Sequence, residues 1–282
     1  MTTTEVPTGV GRTAILVSWI RSAEAARPDA LFHDRFADEV LAELAEAPDT
    51  GELVAALRGS SPLAEQLRSP RFSFIAIRTR YFDDRLITAM HRGVRQVVSL
   101  AAGLDGRTVR LHCPPGTHWY EVDLPVMTAF KEHLLTRSNL TPTCTRVGVT
   151  ADLTGDWTAE LRAAGFDPTL PTAWLIEGLL MYLTPAAGNQ LVAQVTDLSV
   201  PGSELLVEHL SAHSLATPQA PLRDVVESQG AQWLSARDDL ADWLGGHGWR
   251  TDTHANNDPA ISYGRAIPGD GETWLWLADG LR

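Results

Sequence analysis

Acidic side chains follow several short segments of this sequence, at the points where those segments end. The segment VSLAAGLDGR (98–107) runs into a turn that contains Gly103, and Asp123 lies twenty residues beyond that glycine. Asp152 and Glu177 come after two further segments of the same kind. An acid at that distance from a glycine turn can accept hydrogen bonds from both hydroxyls of a ribose. The pattern therefore predicts a site for a ligand that contains a nucleoside.

The turn after residue 100 has fewer glycines than a dinucleotide-binding turn. Gly103 can fill the position where backbone approaches a pyrophosphate, but Ala101 occupies the first glycine position, and Asp105 follows. A carboxylate beside a diphosphate is electrostatically unfavourable. A nucleoside ligand without phosphate fits better, and S-adenosylmethionine has that chemistry. Its carboxylate needs a cation, which the arginine-rich segment 68–95 can supply.

Strands and helices alternate from residue 95 onward. Predicted strands are QVVSL (96–100), WYEVD (119–123), TRVGV (145–149), AWLIE (173–177) and ELLVEH (204–209). This alternation predicts an α/β fold with a parallel sheet, helices on both faces and a ligand beyond the carboxyl ends of the strands. At the end of the chain, AISYGRAI (260–267) and TWLWLA (273–278) flank a glycine turn, which predicts an antiparallel hairpin.

The first ninety residues carry apolar side chains at helical spacing. One helix is predicted to begin at Thr13 and stop before Pro28, another contains Phe36 and Val40, and a third covers 72–92. We therefore expect residues 1–94 to form an N-terminal helical cap on an α/β core of residues 95–282. The two are expected to form one structural unit, with a substrate lid around 211–228.

Five stretches of the sequence carry a family resemblance. RTRYFDD (78–84), VSLAAGLDGR (98–107), YEVDLP (120–125), ADL (151–153) and WLIEGLLMYLT (174–184), in this order, resemble the leucine carboxyl methyltransferase family. That family belongs to the class I S-adenosylmethionine-dependent methyltransferases, and the resemblance is to members of bacterial secondary metabolism. It implies a Rossmann-like fold with a mostly parallel seven-stranded sheet, a C-terminal antiparallel hairpin and an N-terminal helical cap. The sequence differs from the family's GAGLDTR pattern at Ala101 and Gly106.

The resemblance also implies the residues that bind S-adenosylmethionine. Arg80 would pair with the cofactor carboxylate, Asp123 would hold the ribose hydroxyls, and Glu177 would face the amino group or the sulfonium. The complete predicted set is Arg80, Ala101, Gly103, Asp123, Leu124, Asp152, Leu153, Glu177 and Gly178. A structural role is the alternative for the acids, because Asp123 could instead accept a backbone bond at the start of the helix that begins at Pro125.

The predicted reaction is methylation of a carboxylate of a small-molecule or peptide acceptor, which gives a methyl ester. A carboxylate is already a nucleophile, so positioning suffices and no catalytic base is required. Tyr182 and Arg78 are the candidates for positioning the acceptor carboxylate. Methylation of a hydroxyl or phenol is the near alternative, and His209 is the candidate base for it. Two alternatives of another class are an NAD-dependent oxidoreductase and a non-catalytic protein that binds a nucleoside ligand.

Composition limits the partners of this chain. A formal net charge of −12 argues against nucleic acid, since duplex binding needs a cationic surface. The longest apolar stretch, WLIEGLLMYL (174–183), is too short to span a membrane, and the N-terminus lacks a secretory pattern, so we expect a cytoplasmic protein. Two cysteines and histidines without ligand spacing predict no metal site. A monomer or a homodimer is expected.

Overall fold

Five helices precede the sheet in this protein. The computed structural model describes residues 9–46, 50–68, 72–217, 223–228, 230–265 and 271–282. The five helices are α1 (Val10–Glu24), α2 (Arg35–Glu46), α3 (Gly51–Arg58), α4 (Pro62–Arg68) and α5 (Ser73–His91). Thr13 was expected to cap α1, but it lies within that helix, which begins after Gly9. The predicted boundary at residue 95 falls between α5 and the first strand.

Seven strands form one sheet, as predicted. They are β1 (Gln96–Leu100), β2 (His118–Asp123), β3 (Thr145–Thr150), β4 (Thr172–Ile176), β5 (Glu204–Leu210), β6 (Arg250–Ala255) and β7 (Leu275–Leu281). The strand order is β3-β2-β1-β4-β5-β7-β6. The first five strands are parallel, and β7 runs antiparallel to both β5 and β6. The predicted mostly parallel sheet with an antiparallel C-terminal pair is confirmed.

The predicted position of one hairpin strand is wrong. The partner of β7 is β6, and the described part of the segment 260–267 contains the end of a 3-10 turn, Pro259–Ile261. Asp258 explains this turn, because its side chain accepts the amide of Ala260 at 2.8 Å and Pro259 occupies the first helical position. Residues 266–270, which include most of the predicted glycine turn, lie outside the described residues.

Helices on both faces cover the sheet. They are α6 (Arg107–Arg110), α7 (Pro125–Arg137), α8 (Trp157–Ala163), α9 (Pro185–Asp197), α10 (Ala212–Ala216), α11 (Arg223–Ser228) and α12 (Leu240–Gly246). Val97 belongs to the apolar cluster that contains Tyr81 of α5, whereas Val98 belongs to the cluster that contains Val192 of α9. Neighbouring residues of β1 therefore face opposite layers, as the alternation of a strand requires.

The strand order reverses between β1 and β4. The chain moves outward from β1 through β2 to β3 and then returns to place β4 on the other side of β1. A crevice beyond the carboxyl ends of the strands is expected at such a switch point. Of the helices that the structure describes, none is long and apolar enough to cross a membrane.

Candidate active site

A cavity of about 690 Å³ lies beyond the carboxyl ends of β1, β2, β4 and β5. This volume is within the range typical of small-molecule and cofactor sites. Helices α1 and α5 contribute to its wall through Leu16, Ile20 and Phe74. Eight of the nine predicted cofactor residues line it: Ala101, Gly103, Asp123, Leu124, Asp152, Leu153, Glu177 and Gly178.

The turn after β1 has a left-handed backbone at two positions. Ala101 has φ 52° and Gly103 has φ 49°. The left-handed region costs a residue with a Cβ atom about 1–2 kcal/mol. Ala101 therefore keeps a conformation that suits glycine, which explains why a glycine occupies this position in the GAGLDTR pattern. Position 106 is a glycine for a different reason, because a Cβ atom there would lie 2.5 Å from Oδ1 of Asp34.

Asp123 ties the turn to the end of β2. Its Oδ2 accepts the amide of Gly103 at 2.6 Å, and its Oδ1 accepts the amide of Leu124 at 2.8 Å. Burial raises the pKa of this carboxyl, although the two amide bonds oppose the rise. Leu124, the residue before α7, makes no side-chain cap, and Asp123 accepts its amide, so Asp123 also has the helix-start contact that was its structural alternative. Each oxygen keeps a lone pair that can accept a ribose hydroxyl.

Asp152 and Leu153 lie at the end of β3, on the same side of the cavity. The Oδ1 atom of Asp152 accepts the amide of Thr154 at 2.8 Å and its hydroxyl at 2.7 Å. These bonds lower the pKa of the Asp152 carboxyl. Asp152 is exposed and Leu153 is partly buried, so this end of the cavity presents a polar edge and an apolar surface. Such a surface suits a flat base.

A buried ion network forms the floor of the cavity. Glu177 lies 2.9 Å from Nε of Arg78 and 2.8 Å from Nη1 of Arg107. Nη1 of Arg78 donates to both carboxylate oxygens of Glu208 at 2.8 Å. The amide of Gly178 also donates to Oε2 of Glu208 at 2.8 Å. The network holds acids and arginines in alternation, which compensates the burial of each charge.

The two glutamates of the floor differ in pKa. Burial alone would raise the pKa of Glu177, but the charges of Arg107 and Arg78 outweigh it and hold the pKa below its ordinary value. Glu208 is also desolvated, and there burial outweighs the charge of Arg78, so its pKa is raised. Glu177 is therefore a fixed negative charge at neutral pH.

Arg107 and Arg78 differ in the donors that they leave free. Arg107 donates to Asp83 at 2.7 Å, to Asp105 at 2.8 Å and to the carbonyl of Thr79 at 3.3 Å. All of its nitrogens are engaged. The Nη1 atom of Arg78 donates to Glu208, whereas among the described residues neither Nη2 nor Nε, which lies 2.9 Å from Glu177, makes a hydrogen bond. Arg78 lines the cavity, so it can bind an anion there.

Arg80, predicted to hold the cofactor carboxylate, does not line the cavity. Its Nε donates to Asp84 at 2.8 Å, its Nη1 donates to the carbonyl of Leu31 at 3.0 Å, and its guanidinium lies over the ring of Tyr263. A helix turns about 100° per residue, so residues two apart face nearly opposite sides. The geometry therefore corrects the prediction: Arg78, on the opposite side of α5, faces the cavity.

His209, the candidate base, is also absent from the cavity wall. It lies within β5, opposite Trp276 of β7, and it is 3% exposed. Successive side chains of a strand point to opposite faces, so Glu208 faces the cavity and His209 faces away. Burial lowers the pKa of His209 to about 4. A role for His209 as the base does not fit this geometry.

Tyr182, the other positioning candidate, follows β4 and lines the cavity. Burial raises the pKa of its phenol, and hydrogen bonds from the side chains of Thr13 and Trp233 oppose the rise. The phenol therefore stays protonated at neutral pH, so its O–H can donate to an anion in the cavity. Sequence reasoning missed Trp233, because the loop around it has no periodic pattern. Arg21 also lines the cavity, and its Nη2 donates to the carbonyl of Leu104 at 2.6 Å.

Comparison with known proteins agrees with this arrangement. A family model described as leucine carboxyl methyltransferase matches residues 14–196. A Parafrankia protein that carries the name of an S-adenosyl-L-methionine-dependent methyltransferase is 41% identical over 271 residues, covering 93% of this chain and 84% of its own. A Mycobacteroides abscessus protein with the same kind of name is 38% identical and covers 99% of this chain and 94% of its own. These relatives confirm S-adenosylmethionine as the cofactor.

Solved structures agree with the fold. A DUF574 family protein from Streptomyces avermitilis superposes with a TM-score of 0.65 at 15% identity, over 99% of this chain and 100% of that one. A methyltransferase from Thermobifida fusca gives a TM-score of 0.52 at 20% identity, over 95% and 94% of the two chains. The predicted Rossmann-like class I methyltransferase fold is confirmed. Within the described residues, no three His, Cys, Asp or Glu side chains are grouped so as to hold a metal ion.

Proposed function

We propose that this chain, which belongs to the leucine carboxyl methyltransferase family, transfers a methyl group to a carboxylate oxygen of its acceptor and forms a methyl ester. Methyl transfer from S-adenosylmethionine is the activity of its family; the acceptor atom is the proposal. The observation that supports a carboxylate is the pair of donors, the Tyr182 hydroxyl and Nη2 of Arg78, in a cavity whose described wall contains no histidine.

Chain residues at the β1–β3 side would hold the cofactor. Asp123 would accept the ribose hydroxyls, Leu153 and Asp152 would flank the adenine, and Gly103 would lie against the methionyl part. Glu177 would face the amino group as a fixed negative charge. Arg21 replaces Arg80 as the candidate partner of the cofactor carboxylate, because its guanidinium lies beside Leu104 in the same turn and lines the cavity.

The sulfonium, when bound, supplies an electrophilic methyl carbon. The protein has to hold the acceptor oxygen in line with that carbon and the sulfur. Tyr182 and Arg78 would do so through charge-assisted hydrogen bonds, which are the stronger kind. Because the Tyr182 phenol is protonated at neutral pH, it would donate a hydrogen bond to the acceptor carboxylate and would not act as a base.

Hydroxyl methylation is the second candidate, and Glu208 is the observation that favours it. Glu208 lines the cavity, and its raised pKa brings it nearer to that of a useful base. Its two oxygens, however, already accept hydrogen bonds from Arg78 and from the Gly178 amide.

The alternative of an NAD-dependent oxidoreductase is excluded, because the cofactor is S-adenosylmethionine. A non-catalytic binding protein is tested by the experiment below.

The test compares an acid with the alcohol of the same carbon skeleton. Phenylpropanoate and phenylpropanol are incubated with methyl-labelled S-adenosylmethionine, and the rate is followed between about pH 6 and pH 9. We expect label in the acid only, with kcat/KM that does not rise with pH, because a carboxylate needs no base. Label in the alcohol, with a rate that increases with pH, would favour Glu208 as a base. No transfer to any acceptor would favour a non-catalytic protein.

Variants of the two donors extend this test. Tyr182→Phe removes one hydrogen bond to a charged group and should lower kcat/KM by roughly tenfold to a hundredfold. Arg78→Lys keeps a positive charge between Glu177 and Glu208 but removes the planar fork, so it is the safer change at that position. Unchanged kcat/KM in both variants would refute the assignment of these residues.

A further inference from the structure

An apolar chamber occupies the half of the cavity beyond β4, β5 and β7. We call it the acceptor chamber and define it by six lining residues: Phe74, Met181, Tyr182, Leu210, Trp233 and Trp274. Five of them, all except Phe74, belong to one packed cluster, so they lie together. In-line transfer needs the acceptor on the side of the methyl group away from the sulfur. With the nucleoside at the β1–β3 end, the acceptor chamber is where the acceptor body must lie.

Hydrogen bonds fix the wall of the acceptor chamber. The amide of Leu234 donates to the carbonyl of Met181 at 2.7 Å, and the Ser235 hydroxyl donates to the carbonyl of Leu180 at 2.9 Å. These bonds clamp the loop that carries Trp233 onto the turn after β4, and the Trp233 side chain also hydrogen-bonds Tyr182. The aromatic wall is therefore held in place before an acceptor binds.

Charges in the acceptor chamber are confined to its floor. There Arg78 pairs with Glu177 and Glu208, and the free donor of Arg78 can serve one carboxylate. The residues Met181, Leu210 and Trp233 are only 5%, 6% and 8% exposed, so bulk water does not screen the chamber interior well. A second charged group on the acceptor would be buried among apolar atoms without a partner, which is costly.

We propose that the acceptor is a small organic acid with one carboxylate and an otherwise uncharged, aromatic or aliphatic body. A peptide would bury backbone amides and carbonyls against the same apolar wall, so this inference narrows the proposed function from small or peptidic acids to apolar small molecules. It rests on the proposed carboxyl methylation, since the single charge is the group that is methylated.

Two derivatives of one acid test the charge requirement. Para-nitro-phenylpropanoate and para-carboxy-phenylpropanoate have substituents of the same shape, and only the second adds a charge. Their binding to the protein saturated with S-adenosylhomocysteine is measured by titration calorimetry, and their methylation by label transfer. We expect the nitro compound to be bound and methylated roughly tenfold to a hundredfold better. Equal or better use of the dicarboxylate, or binding of neither compound, overturns the inference.

A pair of tryptophan variants tests whether the acceptor binds in the acceptor chamber. Trp233→Ala removes part of the aromatic wall and should weaken binding of the nitro compound by roughly tenfold. Trp243→Ala is the matched control, because Trp243 lies on α12 outside the cavity, with its indole donating to Asn189. An equal effect of both variants, or no effect of Trp233→Ala, would place the acceptor elsewhere.

Failure of the inference is distinguishable from failure of the proposed function. If S-adenosylhomocysteine binds and base-labile methyl appears on dicarboxylates or peptides as well as on apolar acids, carboxyl methylation stands and the inference fails. If S-adenosylhomocysteine binds but the label enters only alcohols or phenols, the proposed function fails as well.

Discussion

Replacement of Asp123 by alanine should abolish most of the cofactor affinity. Asp123 is a half-buried carboxylate whose oxygens each accept one amide and keep one lone pair free toward the cavity. Hydrogen bonds to a charged acceptor contribute about 1.5–3 kcal/mol each, and the two ribose hydroxyls would use both free lone pairs. Loss of about 3 kcal/mol corresponds to a roughly hundredfold higher Kd for S-adenosylhomocysteine.

The assay is titration calorimetry with S-adenosylhomocysteine at neutral pH. Asp123→Ala also removes the anchor of the Gly103 amide, so thermal unfolding of the variant has to be recorded beside the titration. Asp123→Asn keeps one acceptor oxygen and should show an intermediate loss. Asp152→Ala is a milder change within the same site, because Asp152 is exposed and water screens its contacts, so the Kd for S-adenosylhomocysteine should rise only a few-fold.

The pH dependence of binding follows from the same residue. Burial raises the pKa of Asp123, so its protonation begins at a higher pH than for an ordinary aspartate. S-adenosylhomocysteine affinity should therefore fall as the solution is made acidic, and Asp123→Asn should remove that dependence. A Kd within twofold of the original protein for folded Asp123→Ala would refute the site.

Three further predictions test individual placements. Gly106→Ala should lower the free energy of unfolding by about 2 kcal/mol in chemical denaturation, because its Cβ would lie 2.5 Å from Asp34 Oδ1 and 2.9 Å from the Phe36 Cβ; an unchanged midpoint would contradict this. Arg80→Ala should leave Kd for S-adenosylhomocysteine within about twofold, whereas a loss comparable to that of Asp123→Ala would restore its predicted role. His209→Gln should keep its methyl-transfer rate, since His209 faces away from the cavity. Because burial lowers the pKa of His209 to about 4, the unfolded chain binds the additional proton between about pH 6.5 and pH 4, so stability falls as pH drops through that window by up to about 3 kcal/mol. Urea unfolding across this range should show a smaller fall in His209→Gln, and identical pH profiles would contradict the placement.

The strands and their ends could be predicted from sequence because each is a short apolar run bounded by turn residues. Asp123, Asp152 and Glu177 follow such runs, and the topology of a parallel sheet brings these ends together. The C-terminal pair was harder to place. Asp258 and Pro259 start a turn in a segment whose apolar residues also suit a strand. The strand that pairs with β7 is β6, which precedes this turn.

The orientation of side chains on one element limited the site predictions. Arg78 and Arg80 are two residues apart on α5, and only the rotation of the helix against the sheet selects Arg78. His209 and Glu208 differ by one residue on β5, and the register of the strand selects Glu208. Arg21 and Trp233 come from distant parts of the chain, and only tertiary packing brings them to the cavity.

The central claim is that this member of the family makes methyl esters. The most direct measurement is the fraction of enzyme-transferred, labelled methyl that mild base releases as methanol from the product formed with an apolar carboxylic acid. Esters hydrolyse under these conditions and ethers do not, so we predict almost complete release. A product that retains its label in base would contradict carboxyl methylation.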